Sequence, residues 1–270
     1  MGQLATARPR RGARRRVSVH DASALPWREA GKPGIALKTV REDQNRGHFL
    51  GLVGFEPMTR SGLHQHEGVA TAFFIDGGLT DHQGAVGLHE VGINLRGATH
   101  DAIAYQRSVL VSRMEAPVVY PAGDGPVHRL HAGASARAAL SNRAPAVPPD
   151  INVRVDEVAA VAGPAAGVLR RTLFDYARTG EERRMVQLSL LPGTRVPAWV
   201  ATETVEFWVR GGAIEIDGQL AYGNCFVIVE PGAEVVLASP FGALVLGWAE
   251  GAPRWADGRD GDDLFGFQRP

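Results

Sequence analysis

The sequence predicts an all-β protein built from two tandem β-domains, and three observations carry that expectation. Short runs rich in Val, Ile, Leu and Phe alternate with Gly, Pro, Asn or Asp at roughly 8–12-residue intervals, the spacing of sandwiches and barrels. No stretch sustains helical periodicity over three turns. An internal repeat covers almost the whole chain: "VSVHDASALPW" from residue 17 is echoed by "INVRVDEVAAV" from 151, and "PGIALKTVRED" from 33 by "AAGVLRRTLFDY" from 165. Further on the offset settles, so that Pro57 falls on Pro192, Thr59 on Thr194, Gly77 on Gly212 and Gly97 on Gly232.

Taken from the N-terminus, residues 1–16 are a basic arm containing Arg8, Arg10, Arg11, Arg14, Arg15 and Arg16. The chain as a whole is neutral, so the remainder carries six excess negative charges, 23 basic against 29 acidic residues. The arm reads as disordered. An acidic body without interleaved aromatic residues is a poor nucleic-acid surface, and the twin arginines lack the apolar segment of an export signal. No apolar run reaches the ~18–20 residues of a membrane span, so a cytoplasmic location is expected. The single cysteine, Cys225, cannot close an intrachain disulfide. The first barrel is expected over 17–121, an Ala-, Gly-, Pro- and Ser-rich connector over 122–150, the second barrel over 151–251 and a loose closing segment over 252–270.

The repeat makes the histidines informative. In "RSGLHQHEGVATAFFIDGG" (60–78) His64 and His66 are two apart, so on a strand both imidazoles face one interior, and two imidazoles in one interior suit a metal. Downstream, "LRGATH" (95–100) matches "EPGAEV" (230–235) and sets His100 against Val235. His64 and His66 correspond to Trp199 and Ala201, so all three histidines have apolar counterparts in the second half. His20, His48 and His89 read as structural, and His128 and His131 fall in the connector. Phe73, Phe74 and Tyr105 read as core; Asn94 and Arg96 read equally as turn residues or as groups orienting the third histidine.

Together, "PMTRSGLHQH", "IDGG", "LRGATH" and the "ALPW...PG" lead-in resemble the two short motifs of the cupin superfamily, and are most similar to cupins of the ChrR and 2,4'-dihydroxyacetophenone dioxygenase type. The resemblance covers about 17–120 and, more faintly, 151–250. It implies a bicupin of two double-stranded β-helix (jelly-roll) barrels, the first holding a metal through His64, His66 and His100.

The family's glutamate four or five residues after the second histidine is missing, because Ala70 and Thr71 stand there. Glu67, adjacent to His66, belongs to the other strand face. Asp81 and His82 of the "LTDHQG" hairpin are the candidate fourth ligands. Three neutral imidazoles leave a divalent ion its full charge, which favours an anionic ligand such as an enolate or carboxylate. Such a site suits iron, copper, nickel or zinc over magnesium or calcium.

The resemblance implies a mononuclear non-haem iron(II) dioxygenase that takes dioxygen and a small enolisable ketone, a diketone or hydroxyketone, and cleaves a carbon–carbon bond. A metal-binding ChrR-like sensor without catalysis is the alternative, and a zinc-dependent hydrolase or isomerase on the same cage is a third. The second half is expected to be structural and to mediate a homodimer through edge strands. Its Glu206, standing where a cupin carboxylate often does, needs a partner if it is interior, and Arg195 and Arg210 are the candidates.

Overall fold

In the computed structural model of the chain, the structure describes residues 16–81, 84–120, 152–175 and 183–267. The connector histidines His128 and His131, the candidate ligand His82 and most of the basic arm lie outside the described residues. The fold is all-β: two jelly-roll barrels, and among the described residues the sole helical turn is Val155–Glu157.

The main sheet of the first half runs in the order Asn152–Arg154, Glu90–Asn94, Ala70–Asp76, Ser108–Met114, His48–Phe55, Ile35–Asp43 and Arg28–Glu29. The main sheet of the second half repeats it with Val17–Asp21, Cys225–Val229, Val205–Ile216, Ala243–Ala249, Arg184–Leu190, Val168–Asp175 and Val161–Ala162. Their pairings are antiparallel, as short connections between strands require. The glycines the repeat aligns sit at corners that exclude a side chain. Gly77 has φ of 65° and Gly212 of 75°, and a Cβ there would strike the carbonyl oxygens of Arg107 and Gly242.

The two halves exchange their opening strands. Val17–Asp21 pairs with Cys225–Val229 of the second sheet, Val17 opposite Val229, and Asn152–Arg154 pairs with Glu90–Asn94 of the first, Glu90 opposite Arg154. The repeat itself is preserved, since the two echoed segments occupy equivalent places, each on the other half's sheet. Each exchanged strand covers what would otherwise be an exposed sheet edge.

Side-chain alternation then builds three cores. Phe74, Leu110, Ile35 and Phe55 fill the first barrel, while Val205, Phe207, Val227 and Val245 fill the second. Between the barrels lie Leu50, Phe73, Val111, Trp208, Phe226 and Trp248, from the opposite faces of the same strands. "CFVIV" (225–229) is apolar throughout because both of its faces are buried. Burying such large side chains contributes roughly 1.5–3 kcal/mol each, which makes the interface an extension of the core. Phe73 and Phe74 are core as expected, whereas Tyr105 is exposed.

Glu206 is fully buried in this interface, but its partners are not those expected. Arg113 Nε lies 2.6 Å from Glu206 Oε2 and Arg41 Nη1 lies 3.2 Å from Oε1, both from the first half. The Glu206 side chain points out of its own barrel, where Arg195 does not reach. Arg210 turns to Gln187 at 3.1 Å and lies over the Phe73 ring. Arg113 also binds Glu115 (2.9 Å) and Glu250 (2.5 Å).

The closing segment contributes to the second core. Trp255, Leu264, Phe265 and Phe267 are buried, and Phe265 stacks on Phe207 with centroids 6.0 Å apart. The Asp263 carboxylate caps this turn by accepting the N–H groups of Phe265 (2.7 Å) and Gly266 (2.8 Å). Among the described residues no helix is long and apolar enough to cross a membrane.

Candidate metal centre

The strand His64–His66 lies between Thr99–His100 and Val118–Val119. Alternation turns His64 and His66 inward, each 6% exposed, with Gln65 between them on the other side. His100 is the direct cross-strand neighbour of His64. It is delivered by the "LRGA" turn, where Gly97 (φ 88°) donates its N–H to the His66 carbonyl at 2.7 Å and His66 returns one to Ala98 at 2.9 Å. The second barrel has the same backbone. Trp199 faces Val235, Gly232 bonds Ala201 at 2.7 Å, and Ala201 bonds Ala233 at 3.0 Å. Only the side chains differ: buried Trp199, Ala201 and Val235 take the three histidine positions.

The three Nε2 atoms converge. His100 Nε2 is 3.1 Å from His66 Nε2 and 3.2 Å from His64 Nε2, and each ring offers one ligand atom within 4.8 Å of the others. On the outer side of the rings, His64 Nδ1 donates to the Gly62 carbonyl at 2.7 Å, and His100 Nδ1 donates to Asp81 Oδ2 at 2.7 Å. Gly62 is itself held by Asp101, whose Oδ1 accepts its N–H at 3.1 Å while Oδ2 accepts from Arg60.

This geometry fits a metal ion. Rings that donate through Nδ1 present an unprotonated Nε2, and two lone pairs facing each other at 3.2 Å repel unless a cation lies between them. Protonation of His64 or His66 does not supply that cation. Burial, and then the neighbouring His100 charge, pull His64 down to about 4, and burial with both neighbours holds His66 well below the ordinary histidine value. Nitrogens bound about 2.1 Å from one ion in cis or tetrahedral arrangement stand ~3.0–3.4 Å apart.

The remaining expected residues divide. Asp81 reaches the site, but at the Nδ1 of His100 that faces away from the tripod. Ala70 is buried, Thr71 turns to the barrel interface and accepts Trp248 Nε1 at 3.1 Å, and Glu67 is exposed. A cavity of about 50 Å³ beside His100 is bounded by Phe74, Leu79, Asp81, Ile93, Asn94 and Ala102, so Asn94 faces the site region. Arg96 is exposed. A much larger groove, about 930 Å³, lies on the second barrel between Ala162 and Leu244, and no titratable side chain lines it. Two residues near the tripod carry no sequence motif. Tyr120 sets its ring 5.8 Å from that of His64, and Lys32 holds its Nζ 3.7 Å from the Tyr120 centroid.

A sequence model of the ChrR cupin-like domain matches residues 15–118, the segment that carries the tripod. Residues 15–118 are therefore similar to the ChrR cupin-like domain. Solved structures share the two-barrel fold over most of the chain. A candidate dioxygenase from Nostoc punctiforme superposes with a TM-score of 0.66 at 10% identity, covering 96% of this chain and 88% of its own. Oxalate decarboxylase from Bacillus subtilis gives 0.58 at 14% identity over 88% and 78%, and salicylate 1,2-dioxygenase from Pseudaminobacter salicylatoxidans gives 0.58 at 14% over 75% and 70%. At such identities the likeness of this chain to them is one of fold. No curated protein sequence matches the chain.

Proposed function

We propose that this bicupin is a mononuclear iron(II) dioxygenase whose first half, residues 17–121, carries the site that acts on a small enolisable ketone, with the second half, 151–251, as its structural support. The observation that carries the reading is the convergence of three Nε2 atoms, two of them on rings whose Nδ1 already donates. Iron(II) held by His64, His66 and His100 would supply Lewis acidity toward a chelating substrate and electrons for dioxygen.

The chain's own residues prepare that chemistry. Gly62 and Asp81 fix the tautomer and orientation of His64 and His100, and the Asp81 carboxylate makes His100 the more basic donor. With Asp81 held at Nδ1, the tripod stays neutral and the pocket favours an anionic oxygen ligand such as an enolate. Phe74, Leu79 and Ile93 give it an apolar, water-poor wall. The reading includes a cytoplasmic location, supported by the free Cys225, and a homodimer. The latter is supported by the exposed apolar side chains of Val161 and Leu169 at the edge of the second sheet.

The test is elemental analysis of protein purified without chelators, then oxygen uptake by the iron-loaded form with β-diketones and hydroxyketones. One iron per chain with substrate-dependent uptake supports the reading; stoichiometric metal without uptake overturns it. That second outcome favours a metal-dependent sensor, which the ChrR cupin-like match supports, or a zinc hydrolase or isomerase.

A further inference from the structure

The second barrel is an internal control for what the site needs, because strand register identifies the counterpart of each residue. Ile103 faces Thr80 as Ala238 faces Glu215 in the equivalent ladders, which sets Asp81 against the buried Ile216. Val119 faces Gln65 as Arg254 faces the equivalent Val200, so Tyr120, the next residue, stands where Trp255 faces Trp199. The loops entering the two main sheets are closed alike. Ala30 bonds Ile35 at 2.9 Å and Ile35 bonds Lys32 at 3.2 Å, just as Gly163 bonds Val168 at 2.9 Å and Val168 bonds Ala165 at 3.2 Å. Lys32 therefore takes the place of Ala165, which packs against the second core. Like the tripod and Asp81, Lys32 is a polar group present in the metal barrel and replaced by an apolar one in the other.

Its position explains what it would do there. The Lys32 ammonium lies over the Tyr120 ring at 3.7 Å and donates to the Ser61 carbonyl. It passes directly above Gly62, where a Cβ would come within 3.0 Å of Nζ, and Gly62 is the residue whose carbonyl holds His64. An ammonium has three donors, of which Ser61 takes one. The nearby carboxylate, Asp101, is occupied by Arg60 and the Gly62 N–H. A positive donor next to a neutral-ligand metal site is suited to a second anionic group on the same ligand.

We infer that Lys32 is a specificity-determining residue on the Gly62 side of His64 and that the substrate carries a carboxylate in addition to the oxygen atoms that reach the tripod. The inference rests on the metal-binding reading of His64, His66 and His100. Its test uses zinc-loaded protein, in which no oxidation consumes the probe, and compares by calorimetry acetylacetone with 4,6-dioxoheptanoate, the same diketone bearing a carboxylate.

Wild type should bind the carboxylated probe about tenfold more tightly. Lys32→Met should lose that advantage, Lys32→Arg should keep part of it, and all three proteins should bind acetylacetone equally and retain zinc. Equal affinities of wild type for the two probes, failure of both to bind, or an advantage that survives Lys32→Met overturns the inference while leaving the metal site standing. Failure to take up zinc overturns the metal reading itself, and the inference with it.

Discussion

Asp81 Oδ2 accepts a 2.7 Å hydrogen bond from His100 Nδ1, on the side of the ring turned away from the Nε2 that meets His64 and His66. The carboxylate therefore acts on the tripod through the ring. Asp81→Asn should preserve stoichiometric metal at saturation while lowering metal affinity by about 10–100-fold. Chelator competition measures this, and unchanged affinity would remove Asp81 from an orienting role.

His100→Ala takes away the nitrogen common to both short Nε2 contacts. Metal in the purified variant should fall to background by elemental analysis. The fold should persist, because the second barrel carries Val235 at this position on the same ladder.

Arg113 and Glu206 are 4% and 1% exposed in their side chains and come from different barrels. Arg113→Met strands a buried carboxylate and should cost about 3–5 kcal/mol in denaturant unfolding. Adding Glu206→Gln should recover part of that loss, and a double variant as unstable as the single one would count against the pairing.

Glu250 gives this interface a pH dependence. Burial opposes its ionised form, but His48, Arg113 and Arg41 outweigh burial and hold it down at about 2 against an ordinary 4.5. A depressed carboxylate stabilises fully above its unfolded value and loses that contribution as pH falls through the folded one. Glu250→Gln should thus melt lower than wild type at pH 7, and the gap should close between pH 4.5 and 2 in thermal scans.

Phe265, fully buried against Phe207, makes the closing segment part of the second barrel. Phe265→Ala should destabilise by about 3–5 kcal/mol. A change within 0.5 kcal/mol would show the segment to be dispensable.

Much of the candidate site is legible in the sequence because its signals are local. The H-x-H spacing places His64 and His66 on one face of any strand, and the repeat aligns His100 with Val235 whatever the barrels do. Asp81 is legible as a nearby carboxylate, but which histidine nitrogen it meets depends on how its hairpin pairs with the Ile103–Ala104 strand that follows His100. Lys32 and Tyr120 carry no motif; comparison of the "AGKPGI" loop with "GPAAGV" is the signal that marks Lys32. The closing segment reads as loose because its Gly and Asp content masks four apolar residues whose burial needs a barrel to receive them.

By itself the sequence determined the all-β class, the duplication and the three histidines, since alternation with period two and self-similarity belong to each segment wherever it is placed. Tertiary structure decided the exchange of the two opening strands, the Arg113 and Arg41 partners of Glu206, and the convergence of Lys32 and Tyr120 on His64. The physical reason is that edge pairing, ion pairing across an interface and loop placement are fixed by which surfaces dock. Glu206 meets arginines 93 and 165 residues away because packing Phe73 against Trp208 leaves its buried carboxylate no water to turn to.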